Sequence, residues 1–172
     1  MSLTSAAPAR SGPDAVEPAC TAVVVFGITG DLARKKTFVA LHELERFGWA
    51  DVPVIGVGRS AWTDADVRDA AADAVDGDAD DRFLRRFSYV RGDYTDGSLY
   101  ERLAAALEDH PSVLCYLAVP PTVFEDVVVG LAATDLRDRV RLMIEKPFGT
   151  DLASARRLHA MLTEHFDERC RR

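Results

Sequence analysis

The stretch VVVFGITGDLARKK, residues 23–36, leaves few architectures open. Val23, Val24, Val25 and Phe26 make a short β-branched and aromatic run without polar alternation, the pattern of a strand covered on both faces. The run breaks at Gly27-Ile28-Thr29-Gly30, and a helix-like pattern with the basic cluster Arg34-Lys35-Lys36 follows. Strand, glycine turn and helix start in that order make an anion site. Glycines let the backbone come close to a diphosphate, and the first unpaired helix N–H groups point at it. The common G-x-G-x-x-G spacing fails at Thr29 and Leu32; what fits is G-x-x-G-x-x-A, with Gly27, Gly30 and Ala33. A small Ala33 still permits close helix–sheet packing. A P-loop would need Gly directly before Lys-Ser/Thr, and here Lys36-Thr37 follows Lys35. On these residues alone, a glycine loop that binds nothing is the alternative.

The rest of the chain repeats the same unit. Leu32, Phe38, Leu41, Leu44 and Phe47 predict a first helix over 31–47, stopped by Gly48. Strands follow at 52–57, 88–91, 113–118 and 140–144. Helices are expected at 63–75, 80–87, 96–109, 122–133 and 151–166. Strand–helix alternation with continuous apolar strands predicts an α/β fold, a doubly wound, mainly parallel Rossmann-type sheet in three layers. Residues 20–172 are read as that one dinucleotide-binding domain. Residues 1–19, rich in Ala, Pro, Ser and Gly, are read as a disordered tail. The net charge of −7 opposes nucleic acid and anionic membrane as partners. Cys20, Cys115 and Cys170 are odd in number and form no C-x-x-C, so they suggest free thiols of a reducing compartment rather than a disulfide or zinc framework. With no h-region at the start and no run of membrane-spanning length, the expected location is cytoplasmic.

The punctuation falls just after strands, at Gly27–Gly30, Gly58–Arg59, Val119–Pro121 and Glu145–Pro147, along the edge where such sheets bind ligands. Arg59 bears on the cofactor. An NAD site presents Asp or Glu after the second strand, whereas Arg there suits the 2′-phosphate of NADP. This chain has Gly58-Arg59-Ser60 and no carboxylate before Asp64. Guanidinium can grip a phosphate with two parallel N–H bonds; a solvated surface Arg is the plainer reading. Asp31 reads as a helix cap, favoured by the dipole. Lys35 and Lys36 either neutralise diphosphate or form the wet face of the helix. Val119-Pro120-Pro121 is either a wall for a flat ring or a strand terminator leading into a helix. Lys146, between Glu145 and Pro147, is either a substrate contact or half of a surface ion pair. Asp93 and Tyr94 line the adenosine side or form a plain turn. His42, His110, His159 and His165 fall on helices or helix ends, with no base's address among them.

Together FGITGDLARKK at 26–36, GVGRS at 56–60, FSYVRGDYTD at 87–96, YLAVPPTVFEDVV at 116–128 and IEKPFGTDLASARRL at 144–158 resemble the N-terminal dinucleotide-binding domain of glucose-6-phosphate dehydrogenase. The resemblance implies NADP held by Gly27, Ile28, Thr29, Gly30, Asp31, Leu32, Ala33 and Arg34, with Arg59 on the 2′-phosphate and Tyr89 and Pro120 nearby. It implies Glu145 beside the nicotinamide, Lys146 touching both cofactor and glucose 6-phosphate, and a cis Lys146–Pro147 bond. It also implies oxidoreductase chemistry: hydride transfer from C1 of the sugar phosphate to NADP, opening the oxidative pentose phosphate pathway. Val39 stands where the family commonly has proline. The family's I-D-H stretch, which follows the last helix, is not in this sequence, and the sheet domain carrying the general-base His follows it. The expectation is therefore a truncated form without catalytic base or C-terminal catalytic domain, of little activity alone, whose uncovered domain face lets copies self-associate. A free-standing NADP-binding sensor or docking module is the alternative.

Overall fold

A computed structural model of the chain describes residues 20–48, 51–145 and 152–166. The expected tail at 1–19, the Lys146–Pro147 bond, the Lys146 side chain and Cys170 lie outside these residues. Five strands, β1 (Ala22–Phe26), β2 (Val54–Gly58), β3 (Phe87–Arg91), β4 (Val113–Leu117) and β5 (Val140–Ile144), form one sheet. Its order is β3-β2-β1-β4-β5 and every pairing is parallel, with Val24 opposite both Ile55 and Cys115. This is the doubly wound order, with the switch point between β1 and β4.

The helices are α1 (Phe38–Arg46), α2 (Asp64–Ala74), α3 (Asp81–Arg85), α4 (Gly97–Ala106), α5 (Phe124–Ala132) and α6 (Leu152–His165). Their starts follow from local chemistry. Thr63 and Asp66 form a reciprocal capping box at α2, Asp80 caps α3 through the Phe83 N–H, and Asp96 caps α4 through the Ser98 N–H. The first helical segment departs from expectation. Before α1, Ala33–Thr37 is a π-helical turn closed by Phe38 N–H on the Ala33 carbonyl. The turn allows Ala33 and Phe38, five apart in sequence, both to be fully buried. Of the residues expected on the core face, Phe38 and Leu41 are buried, joined by His42, while Leu44 and Phe47 are exposed. His42 packs edge-on against Phe83, 5.0 Å between centroids, which makes it a core residue.

Alternate residues of the strands feed two cores. Val24 and Phe26, with Cys115 and Leu117, face the core that holds Leu99, Leu103, Val127, Leu131 and Leu158. Val23 and Val25 face the other, with Phe38, Leu41, Val67 and Phe83. The two sides are unequally clothed. On the second side, Leu114 and Tyr116 of β4 are half-buried and Met143 of β5 is exposed, bordering an apolar groove of about 320 Å³ beside α1. Among the described residues no helix is long and apolar enough to cross a membrane.

Candidate dinucleotide-binding site

Gly27 is the joint between the two halves of the sheet. Its φ is +83°, where a side chain is strained. A Cβ at this position would lie 2.5 Å from the Ala118 carbonyl oxygen and 2.8 Å from Val119 Cγ1. Its N–H donates to the Val57 carbonyl at 2.8 Å, while Ala118 N–H donates to the Phe26 carbonyl at 2.9 Å. The tips of β1, β2 and β4 therefore converge on one residue. Ile28 turns down into the sheet and is wholly buried, its side chain filling the space a Cβ on Gly56 would take.

Gly30 is placed differently. It is exposed, and a Cβ there would meet nothing closer than the Gly27 carbonyl oxygen at 3.3 Å. Gly30 N–H donates to the Gly27 carbonyl at 3.0 Å, and the first helical bond runs from Arg34 N–H to the Gly30 carbonyl at 3.2 Å. The amides of Asp31, Leu32 and Ala33 lie in that first turn, where helix donors lack a helical acceptor. Asp31 is itself helical, one residue past Gly30, whose carbonyl accepts the first helical bond, so it lies inside the helix rather than at its cap, which corrects the capping expectation. The carboxylate sits in the first turn, favoured by the dipole alone.

At the tip of β2, Arg59 is exposed and lies close enough to Asp93 and Tyr94 for its charge to be felt by both. Hydrogen bonds from the Thr95 N–H and hydroxyl, with a smaller contribution from Arg59, hold the Asp93 carboxyl below its ordinary range. Asp93 is thus a turn residue, and Tyr94 is buried against Phe26 at 6.2 Å between centroids. Ser60 Oγ donates to Thr29 Oγ1 at 3.3 Å, bridging the β2 tip to the glycine turn. Tyr89 donates its hydroxyl to the Ser60 carbonyl at 3.0 Å, and burial, with Tyr94 nearby, pushes its phenol up to about 12. The first carboxylate after β2, Asp64, is already engaged: it accepts the Tyr89 N–H at 2.8 Å and sits 3.7 Å from Arg68.

Sequence reasoning missed three neighbours. Trp62 lies under Arg34, whose guanidinium carbon is 5.5 Å from the ring centroid. Tyr116 and Thr37 share the apolar groove with Glu145 and Lys36. Burial first, then the adjacent Glu145 carboxylate, pushes the Tyr116 phenol up to about 12. The Thr37 hydroxyl is buried without a hydrogen-bond partner, close to that phenol but not bonded to it. Strand alternation could have placed Tyr116 with Leu114; nothing local signalled the contact of Trp62 with Arg34. Lys35 and Lys36 diverge, Lys35 lining a cleft with Trp62 and Lys36 the groove with Glu145. Pro120 is exposed with φ −60° and ψ 148°, and Pro121 opens a 3-10 turn to Val123, the terminator that its missing N–H demands.

A parallel sheet wound in both directions, with an open glycine turn and a helix start at its switch point, defines a Rossmann-type domain of the dinucleotide-binding class. The chain belongs to the family described as glucose-6-phosphate dehydrogenase, NAD binding domain, whose model matches residues 24–170. Glucose-6-phosphate 1-dehydrogenase 1 of Mycobacterium bovis is 42% identical over 148 residues, covering 81% of this chain and 31% of that protein. The cytoplasmic glucose-6-phosphate 1-dehydrogenase 6 of Arabidopsis thaliana is 34% identical over 177 residues, 88% of this chain and 34% of that one. Among solved structures, glucose-6-phosphate 1-dehydrogenase from Mycobacterium avium superposes with a TM-score of 0.80 at 43% identity, covering 88% of this chain and 35% of that chain. A glucose-6-phosphate dehydrogenase in complex with its substrate glucose 6-phosphate gives 0.77 at 32% identity, with 87% and 35% covered. The chain spans about a third of the length of the relatives it matches.

Proposed function

We propose that this chain binds NADP in preference to NAD, as the cofactor-binding part of a glucose-6-phosphate 1-dehydrogenase of the oxidative pentose phosphate pathway. One observation carries the cofactor choice: the tip of β2 offers Arg59 and two bridged hydroxyls, Ser60 and Thr29, while Asp64 is turned down onto the edge of β3. A ribose 2′-hydroxyl wants a carboxylate acceptor there, and a 2′-phosphate wants a cation. Gly27 to Ala33 would cradle the diphosphate, Arg34 would also contact the cofactor, Tyr89 would brace the Ser60 loop, and Pro120 would border the nicotinamide. The cofactor held by these residues would supply a hydride acceptor for the sugar C1. Glu145 and Lys36 line the groove beside β4 and β5, where glucose 6-phosphate would meet it, and Lys146 would contact both cofactor and sugar phosphate.

This reading takes residues 20–172 as one cofactor domain, in a cytoplasmic setting, whose general base comes from the further length of the relatives. Hydride transfer needs a base within reach of the C1 hydroxyl. His42 is in the core, His110 lies between α4 and β4, and His159 and His165 lie on α6. Calorimetry with NADP and NAD tests the binding, with NADP expected at least about tenfold tighter; equal affinities would overturn the assignment of Arg59. A steady-state assay with NADP and glucose 6-phosphate tests the division of labour. Trace turnover is expected, and robust turnover by this chain alone would show that it holds a base of its own.

A further inference from the structure

On the reading that NADP is the ligand, we propose that Trp62 is a positioning residue for the ribose 2′-phosphate, holding the Arg34 guanidinium across the β2 tip from Arg59 so that the phosphate is gripped from two flanks. The two arginines lie on opposite sides of the sheet. Arg59 acts on Asp93 and Tyr94, and Tyr94 belongs to the core that holds Leu99 and Leu103. Arg34 stands over Trp62, which packs on the other core with Phe38 and Val67. The Ser60–Thr29 hydroxyl bridge, 3.3 Å long, ties the loop that carries Arg59 to the glycine turn that leads to Arg34.

The indole is itself fixed. Its ring is 6.1 Å from that of Tyr89, whose hydroxyl holds the Ser60 carbonyl at 3.0 Å, and the next residue, Thr63, is locked in the α2 capping box. Loop, platform and cation are thus one connected unit. Arg34 forms no ion pair with a described carboxylate, although Asp66, Asp69 and Asp73 line the same cleft of about 400 Å³. A guanidinium is planar and weakly hydrated, so an aromatic face can keep it without neutralising it. Held over the indole and in no ion pair with those aspartates, Arg34 keeps its donors available to an anion. An exposed arginine free to rotate would lose more side-chain entropy on binding, and stacking removes part of that cost beforehand. Trp62 therefore acts through Arg34, and it acts on the phosphate that distinguishes NADP from NAD.

The test is calorimetric titration of the purified chain and its W62L, W62F, R34A and W62L/R34A variants with NADP and with NAD. Trp62→Leu should weaken NADP about fivefold and leave NAD within twofold, Arg34→Ala should weaken NADP about tenfold, and the double variant should match Arg34→Ala. Trp62→Phe keeps an aromatic face and should recover most of the loss. Unchanged NADP affinity in a folded Trp62→Leu protein, equal losses for both dinucleotides, or additive single losses would each overturn the role of Trp62. Should Trp62→Leu fail to fold, Arg34→Lys decides: it keeps the charge but not the planar stack, so undiminished NADP affinity would overturn the proposal. A wild-type chain that binds NADP and NAD alike would remove the NADP reading itself, a result separate from any of these.

Discussion

Replacing Gly30 with valine is expected to weaken dinucleotide binding at least about 100-fold while sparing the fold, and replacing Gly27 with alanine is expected to destabilise the fold. At Gly30 the backbone is outside the left-handed region and a Cβ clears every atom but the Gly27 carbonyl oxygen, 3.3 Å away. A slight yielding of that carbonyl, offset by the lower chain entropy of the unfolded valine variant, leaves stability within about 1 kcal/mol of wild type. The isopropyl group then stands over the first-turn amides, which must approach phosphate oxygens to about 2.9 Å. Charge-assisted bonds of this kind contribute about 1.5–3 kcal/mol each, so losing two raises Kd for NADP and NAD alike by about 100-fold or more. At Gly27, a left-handed alanine costs about 1–2 kcal/mol. The overlap at 2.5 Å with the Ala118 oxygen forces the β4 tip to move, for about 1–3 kcal/mol more. For a domain of this size that lowers Tm by roughly 10 °C. Thermal melts and calorimetric titrations on both variants give the four readings. A folded Gly30→Val protein that binds NADP within twofold of wild type would refute the placement of the diphosphate.

Arg59→Ala should weaken NADP by at least about tenfold and NAD by less than twofold, since a charge-assisted contact to the 2′-phosphate exists only in the former; equal losses by calorimetry would move the phosphate elsewhere. The Asp66, Asp93 and Asp96 carboxyls, each held below the ordinary range by hydrogen bonds from Thr63, Thr95 and Ser98 respectively, favour the folded state when ionised. Their contribution is full above the unfolded aspartate value near about 3.9 and lost as pH falls through the lower folded values, so Tm should drop below about pH 4, and less so in Asp66→Asn. An acid profile unchanged by that substitution would discount the capping box. Met143→Lys should suppress self-association of the isolated chain through the groove beside β4 and β5, visible by analytical ultracentrifugation; a wild-type chain that sediments as a clean monomer would refute that role.

The fold was legible because its signals are local and repeated. Val23 to Phe26 carry no polar residue, Thr63 and Asp66 stand three apart, and Gly48 follows the last turn of α1. The backbone part of the site was legible for the same reason, since Gly27 and Gly30 lie within one turn. Side-chain roles that depend on distant partners were not. Asp31 looked like a cap by its neighbours, yet the turn places it inside the helix. Leu44 keeps helical spacing from Leu41, but no helix of the described residues covers the sheet beside it, so it stays 38% exposed. Tyr89 was named only through the family resemblance; its distance to the Ser60 carbonyl shows what its hydroxyl holds.

The widened turn at Ala33–Thr37 makes the two ends of the first helical segment independently seated. Upstream, the glycine turn dictates where Ala33 must sit; downstream, Phe38 and Leu41 are dictated by the interior. An ordinary helix would carry residue 38 about 140° away from residue 33, so one seat or the other would be lost. Deleting a single residue from 34–36 would restore ordinary winding and keep both seats, at the expense of a cation. Length in this segment is therefore a tuning parameter, tolerant of a one-residue contraction where most helices would be thrown out of phase.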